Sequence, residues 1–243
     1  MNIKPYRQFL FLLLLLFAGQ HISAQTAISQ GMEKPVLLKN FKYTDIGDPA
    51  IKGTVKTEAN GFDIKAGGAD IWGVKDEFTF VYMEHTGDFD LAARIAGLTA
   101  ANLYTKAGLM AREDLTAGCR HIYFQVFPDN KPRNQNNGGY EFQYRQHKNR
   151  ETTAIHPKSG LLSFLHLAEG TPEVPVSYPN TWIRLQRKGN NFTGYYSTNG
   201  KNWKMYTTYS LDLPSKLWLG LAVTSHNTSE TATAEFRDIF EIK

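Results

Sequence analysis

Alternation of apolar and polar residues, in one short stretch after another, is what most limits the folds open to this chain. In "HIYFQVF" (121–127) Ile122, Phe124 and Val126 share one side, while His121, Tyr123, Gln125 and Phe127 take the other. "GYEFQYR" (139–145) separates Tyr140, Phe142 and Tyr144 from Glu141, Gln143 and Arg145. "DFDLAARI" (88–95) and "LWLGLAV" (217–223) repeat the pattern with Phe89, Leu91, Ala93, Ile95 and with Leu217, Leu219, Leu221, Val223. Successive side chains on an extended strand point to opposite sides, so this period of two marks strands with one buried face. No long stretch carries a helical period. Further strands are predicted at 78–84, 107–112, 161–168, 182–188, 192–197, 202–208 and 232–242, and Asn199 followed by Gly200 is a strong hairpin signal. Ten or so short strands with turn punctuation predict an all-β chain folded as two packed antiparallel sheets.

The first 24 residues read differently. Lys4 and Arg7 precede ten unbroken apolar residues, "FLFLLLLLFA" (9–18), and Ser23 and Ala24 offer small residues for a cut. That is the build of a secretory signal peptide, and the run is too short to span a bilayer. No cysteine follows the apolar run, which argues against a lipid anchor. Cleavage after Ala24 leaves residues 25–243, read as a single β-sandwich domain without a membrane span, in a secreted or periplasmic setting. The formal charge falls from +4 to +2 with the leader, so nothing global points to nucleic acid. Cys119 is the sole cysteine, so an internal disulfide is excluded, and a chain this long is able to rest on its core alone.

Five stretches in order add specificity: "GADIWGVKDEFTFVY" (68–82), "GDFDLAARI" (87–95), "KAGLMARED" (106–114), "WIRLQRKGNNFTGYYSTNGKNW" (182–203) and "GLAVTSHN" (220–227). This succession resembles an uncharacterised family of concanavalin A-like jelly-roll domains of secreted bacterial proteins, often attached to glycoside hydrolases and similar to β-xylosidase C-terminal domains. The likeness runs from about Phe41 to Phe240. It implies a β-sandwich with a curved inner sheet and a carbohydrate context, but no activity. The chain departs from the family pattern at 127–150, where the loop is longer and more basic.

The polar sides of the strands are where a sugar would be met. His121, Tyr123 and Gln125 form one row, and Glu141, Gln143 and Arg145 another; a hairpin across the 127–139 loop would make them cross-strand neighbours. Arg112 shares a face with Gly108 and Met110, which turns it toward the same rows and away from Glu113. A ligand or a salt bridge to Asp70 or Glu141 accounts for it equally well. Trp72, between Ile71 and Gly73 in "DIWG", suits a stacking platform or an end plug of the core. His226 in "TSHN" closes a strand at a sheet end, at a pocket rim or as a hydrogen-bonded loop residue. The candidate ligand-binding set is therefore Trp72, Arg112, His121, Tyr123, Gln125, Glu141, Gln143, Arg145 and His226. Trp182 and Trp203 read as structural, with the "STNGKNW" tryptophan packing on its own turn.

No residue qualifies as catalytic. Glycosidases need two carboxylates flanking one bond. The nearest strand pattern, Asp88 and Asp90, lacks a third acid, and a convergence of Asp70, Glu113 and Glu141 is open. A lyase would use Tyr123 or His121 with Arg112 and Arg145, a match of types only. No cofactor is implied, with Asp45 and Asp48 as weak calcium candidates of a kind that more often serves as turn residues. Lys131, Arg133, Arg145, His147, Lys148 and Arg150 cluster about one hairpin, which points to a weak preference for an anionic glycan. The functional expectation is a carbohydrate-binding or glycan-processing accessory protein with a poly- or oligosaccharide partner. A glycoside hydrolase or polysaccharide lyase is second, and a cell-envelope protein-interaction module third.

Overall fold

The computed structural model describes residues 33–129, 138–155 and 174–242. The leader expected over 1–24, the strand expected at 161–168, Lys131 and Arg133 lie outside the described residues. Among those residues the strands in chain order are β1 (Glu33–Pro35), β2 (Lys42–Ile46), β3 (Thr54–Glu58), β4 (Gly61–Gly68), β5 (Ile71–Trp72), β6 (Lys75–Asp76), β7 (Phe78–Thr86), β8 (Phe89–Leu98) and β9 (Lys106–Arg112). They continue as β10 (His121–Val126), β11 (Tyr140–Arg145), β12 (Thr153–Ile155), β13 (Thr181–Lys188), β14 (Asn191–Ser197), β15 (Lys204–Ser210), β16 (Lys216–Thr224) and β17 (Asn227–Ile242). No helix among the described residues is long and apolar enough to cross a membrane.

Two antiparallel sheets result. One runs β15-β14-β13-β8-β17-β4-β3 with β1 on β17; the other runs β12-β11-β10-β9-β16-β7-β2; β5 and β6 pair as a small separate hairpin. The core between the sheets takes the side of each strand that the alternation assigned to it. Leu91, Ile95, Ile183, Leu185, Ile64 and Phe236 from the first sheet meet Leu109, Ile122, Phe124, Phe142, Leu219 and Leu221 from the second, all essentially unexposed. Burying each such side chain contributes roughly 1.5–3 kcal/mol, so this layer is the main stabiliser of the sandwich.

The seven-stranded sheet also buries part of its other face. Ile46, Ile71, Phe78, Phe80, Tyr82, Met110, Tyr123 and Ala222 form a second apolar cluster, with Leu115, Ala117 and Trp218 packed against it. Ile71 comes from the β5–β6 hairpin, and Leu115 and Ala117 from the turn after β9, so these two segments lie over the sheet. The hairpin is tied to the turn by the Asp76 amide, which donates to the Ala117 carbonyl at 2.9 Å, and to the segment before β12 by the Thr152 amide, which donates to the Gly73 carbonyl at 2.9 Å. The face that alternation alone leaves to solvent is thus largely covered.

Candidate functional site on the outer face of the seven-stranded sheet

The expected hairpin forms, and its register brings the two polar rows together. His121 pairs with Arg145, Tyr123 with Gln143, and Gln125 with Glu141. β9 and β16 extend these pairs into rows Arg145–His121–Arg112–Trp218, Gln143–Tyr123–Met110–Gly220 and Glu141–Gln125–Gly108–Ala222. The small residues of the third row let strands close up. A Cβ at Gly108 would stand 2.2 Å from the Phe124 carbonyl oxygen and 2.7 Å from Gln125 Cβ.

The first row is an internal latch, not an open ligand surface. Arg145 is fully buried and spends every N–H on protein. Nη2 and Nη1 donate to Asp76 Oδ1 (2.6 Å) and Oδ2 (2.8 Å), Nε to the Arg150 carbonyl (2.9 Å), and the rest to the carbonyls of Gly73, Trp72, Ala117 and Cys119. Arg112 is equally buried. It donates to the carbonyls of Asp114 (2.7 Å) and Thr116 (2.6 Å), lies 3.7 Å from Asp76 and sits over the Phe78 ring at 5.0 Å. The salt-bridge partner of Arg112 is thus Asp76, in place of the Asp70 or Glu141 expected from sequence. Glu113 does turn away from Arg112, and pairs with Arg120 at 3.1 Å.

His121 lies in the same row, with Nδ1 3.4 Å from Arg145 Nη1 and Nε2 buried without a partner. Burial first, then the charges of Arg145 and Arg112, hold its pKa well below the usual imidazole value, so the ring is neutral. Tyr123 is sealed in the second apolar cluster and donates its hydroxyl to the Ala222 carbonyl at 3.0 Å. Burial drives its pKa well above the ordinary phenol value, which disqualifies it as a lyase base at neutral pH.

The remaining polar groups form a compact triad. Gln125 Nε2 and Gln143 Nε2 donate to the same Glu141 oxygen, at 2.9 and 2.5 Å. All three side chains are buried, and the two amide oxygens, Gln125 Oε1 and Gln143 Oε1, have no partner. Buried polar atoms are satisfied almost everywhere in folded proteins, so two unpaired acceptors within one triad, with His121 Nε2 unpaired in the first row, set this face apart.

Lys106, two residues before Gly108 on β9, starts the next row and anchors a half-open rim. Its Nζ donates to Asp70 Oδ1 at 2.7 Å and to the Ile71 carbonyl at 3.2 Å. It also lies 5.3 Å from the Trp72 ring centre. His226 Nε2 is 3.2 Å from Asp70 Oδ2, and its ring is 5.5 Å from that of Tyr104. Trp72 remains 39% exposed, the most open member of the group. Burial by itself would raise the Asp70 pKa; the hydrogen bond from His226 and the charge of Lys106 outweigh it and hold the carboxyl below its usual value. Lys106 and Tyr104 escaped the sequence reading, although extending the Arg112–Met110–Gly108 alternation by one step reaches Lys106.

Other expectations resolve elsewhere. Asp90 lies on β8 of the opposite sheet and holds Arg184 (2.6 Å), while Asp88, in the turn just before β8, accepts from the Gly189 amide (2.8 Å). Asp45 accepts from the Gly53 amide (3.1 Å) and the Thr79 hydroxyl (2.9 Å), and exposed Asp48 pairs with Lys52, so both organise the turn after β2. In the basic hairpin Arg145 points into the latch and Lys148 pairs with Asp114 at 2.9 Å. Trp182, not Trp203, covers the Asn199–Gly200 turn: a Cβ at Gly200 would meet its ring at 2.9 Å.

No family model and no curated protein matches the chain. Solved structures do. A functionally unknown protein from Saccharomyces cerevisiae superposes with a TM-score of 0.58 at 11% identity, over 84% of this chain and 96% of that one. Carbohydrate-binding module CBM66 from Bacillus subtilis gives 0.50 at 16% identity, over 83% and 95%. A xylan β-1,4-xylosidase from Bacillus halodurans C-125 gives 0.52 at 12% identity; the likeness covers 86% of this chain but 38% of the enzyme. At these identities the likeness shows the fold alone: a two-sheet antiparallel β-sandwich of the jelly-roll type.

Proposed function

We propose that the protein binds a saccharide on the outer face of its seven-stranded sheet, between the Gln125–Glu141–Gln143 triad and the rim of Trp72, Tyr104, Lys106, Asp70 and His226. The observation that carries this reading is the pair of buried, unpartnered amide oxygens. Saccharide hydroxyls are donors at close spacing, and an accessible indole nearby offers an apolar platform for a ring face. The jelly-roll fold held in common with a carbohydrate-binding module supports the same reading by analogy. Arg112, His121, Tyr123 and Arg145 then position the floor without touching ligand. Binding is favoured over cleavage because Asp76 is consumed by two arginines and Tyr123 by a backbone carbonyl.

The protein acts in this reading as an exported accessory module, its residues 1–24 removed as a signal peptide and residues 25–243 forming one domain. Glycan-array screening of the purified protein, followed by calorimetry on any ligand found, tests it. Trp72→Ala and Gln125→Leu should each weaken binding at least tenfold while remaining folded. Undiminished binding by both folded variants, or no binding to any glycan, would remove the assignment.

A further inference from the structure

The triad says more than that a sugar is held; resting on the binding reading above, it specifies which kind. We infer that Glu141 fixes the polarity of the floor, so that the site takes a saccharide edge that donates hydrogen bonds, neutral hydroxyls or an amino group, and rejects uronate and sulfate groups.

A glutamine amide is two-faced, with a carbonyl that accepts and an NH2 that donates, and in solvent it presents either. Here both NH2 groups converge on one Glu141 oxygen, at 2.9 Å from Gln125 and 2.5 Å from Gln143. Turning either amide over would set a carbonyl oxygen against that carboxylate oxygen inside a buried site, where such repulsion is poorly screened. The carboxylate therefore locks both amides in one sense, and both carbonyl oxygens face away from it with no partner. Whatever fills this place meets acceptors.

The cations on these rows do not reverse that polarity. Arg112 and Arg145 are turned to Asp76 and to backbone carbonyls, and Lys106 Nζ is held by Asp70 and the Ile71 carbonyl. An anionic sugar would bring its charge up to the two carbonyl oxygens of Gln125 and Gln143, with Arg112 and Arg145 facing elsewhere. The preference for anionic glycans suggested by the basic hairpin is thus reversed at this site. Glu141 acts as a specificity-determining residue through the glutamines it orients.

Two measurements test this. The first is an array carrying neutral, amino-bearing, uronate and sulfated oligosaccharides, probed at constant ionic strength with wild type, Glu141→Gln and Gln143→Leu. Wild type should bind neutral or amino-bearing glycans at least tenfold better than anionic ones. Glu141→Gln frees the amides and should cut that preference at least fivefold. Gln143→Leu, which leaves Glu141 and Gln125 in place, should weaken binding about tenfold and keep the preference, and it serves if Glu141→Gln does not fold. The second measurement is the side-chain NH2 resonances of Gln125 and Gln143 by NMR without ligand. Both pairs should shift in Glu141→Gln; in Gln143→Leu the Gln125 pair should stay near its wild-type position. Wild-type binding led by uronates or sulfates, or Gln125 and Gln143 resonances unmoved by Glu141→Gln, would overturn the inference. An array blank for every class would instead overturn the binding reading and the ligand preference with it, while the NMR measurement still decides the amide lock.

Discussion

Asp76 and Arg145 are 69 residues apart in sequence and meet in a two-pronged ion pair, with Nη2 2.6 Å from Oδ1 and Nη1 2.8 Å from Oδ2, neither side chain exposed. The pair fastens the β5–β6 hairpin onto the seven-stranded sheet, with Arg112 as a second, longer contact at 3.7 Å. Removing the carboxylate leaves two buried guanidinium groups without their counter-charge. Asp76→Ala should therefore cost about 3–5 kcal/mol of unfolding free energy. Guanidinium denaturation checks this, and a cost below about 1 kcal/mol would mean the latch is dispensable.

The same row predicts an acid sensitivity. The folded protein holds His121 neutral, through burial first and then the charges of Arg145 and Arg112. The unfolded chain binds a proton on this ring once the pH drops below about 6.5, and the folded state does not follow until far lower pH. Stability from this group is thus fully present above pH 6.5 and is lost as the pH falls through and below it, at up to about 1.4 kcal/mol per pH unit. His121→Gln, which cannot titrate, should flatten denaturation midpoints between pH 7 and pH 5 relative to wild type. Parallel pH profiles for the two proteins would contradict the buried neutral assignment.

Gly108 offers a test of how the floor is built. A methyl group there would collide with the Phe124 carbonyl oxygen at 2.2 Å and crowd Gln125 Cβ at 2.7 Å. The backbone oxygen has no room to yield without parting β9 from β10. Gly108→Ala should lower stability by about 1–3 kcal/mol, the usual scale for overpacking. An unchanged thermal midpoint would show that the strands separate more easily than the register implies.

Much of the sandwich could be read from the chain because its local physics and its global packing agree. The alternation in 88–95, 121–127, 139–145 and 217–223 put Leu91, Ile122, Phe142 and Leu219 in the core, where each is found. It also placed His121, Tyr123, Gln125, Glu141, Gln143 and Arg145 on one shared face. Edge strands were harder. β3, "TVKTE", has no side fully buried, so Val55 alone cannot produce an alternation, and the hairpin through Asn60 and Gly61 passed unrecognised. β4 carries Phe62, Ile64 and Ala66 on one side, an alternation of the same kind, yet it is absent from the strands expected from sequence. The hidden part of the site has a different origin. Period two tells which side a residue takes and not what lies over that side. The cover over Arg112 and Arg145 depends on Asp76 and Ile71 from a two-residue-per-strand hairpin, too short to carry any period.

The rim leads to a last expectation, again with a sign fixed by its surroundings. Burial would raise the Asp70 pKa, but the His226 hydrogen bond and the Lys106 charge prevail and keep it below 3.8. A carboxyl with a depressed folded pKa contributes stability that is present above its unfolded value and is lost as the pH falls through the folded one. Asp70→Asn also leaves Lys106, nearly unexposed, without its 2.7 Å carboxylate partner. At pH 6 the substitution should cost about 1.5–3 kcal/mol, the range for hydrogen bonds to charged groups. Below pH 4 the gap to wild type should narrow, since wild type then loses the same contribution by protonation. Urea midpoints for both proteins at pH 6, 4 and 3 measure it. A gap that stays constant or widens toward pH 3 would mean that the Asp70 charge does not stabilise this rim.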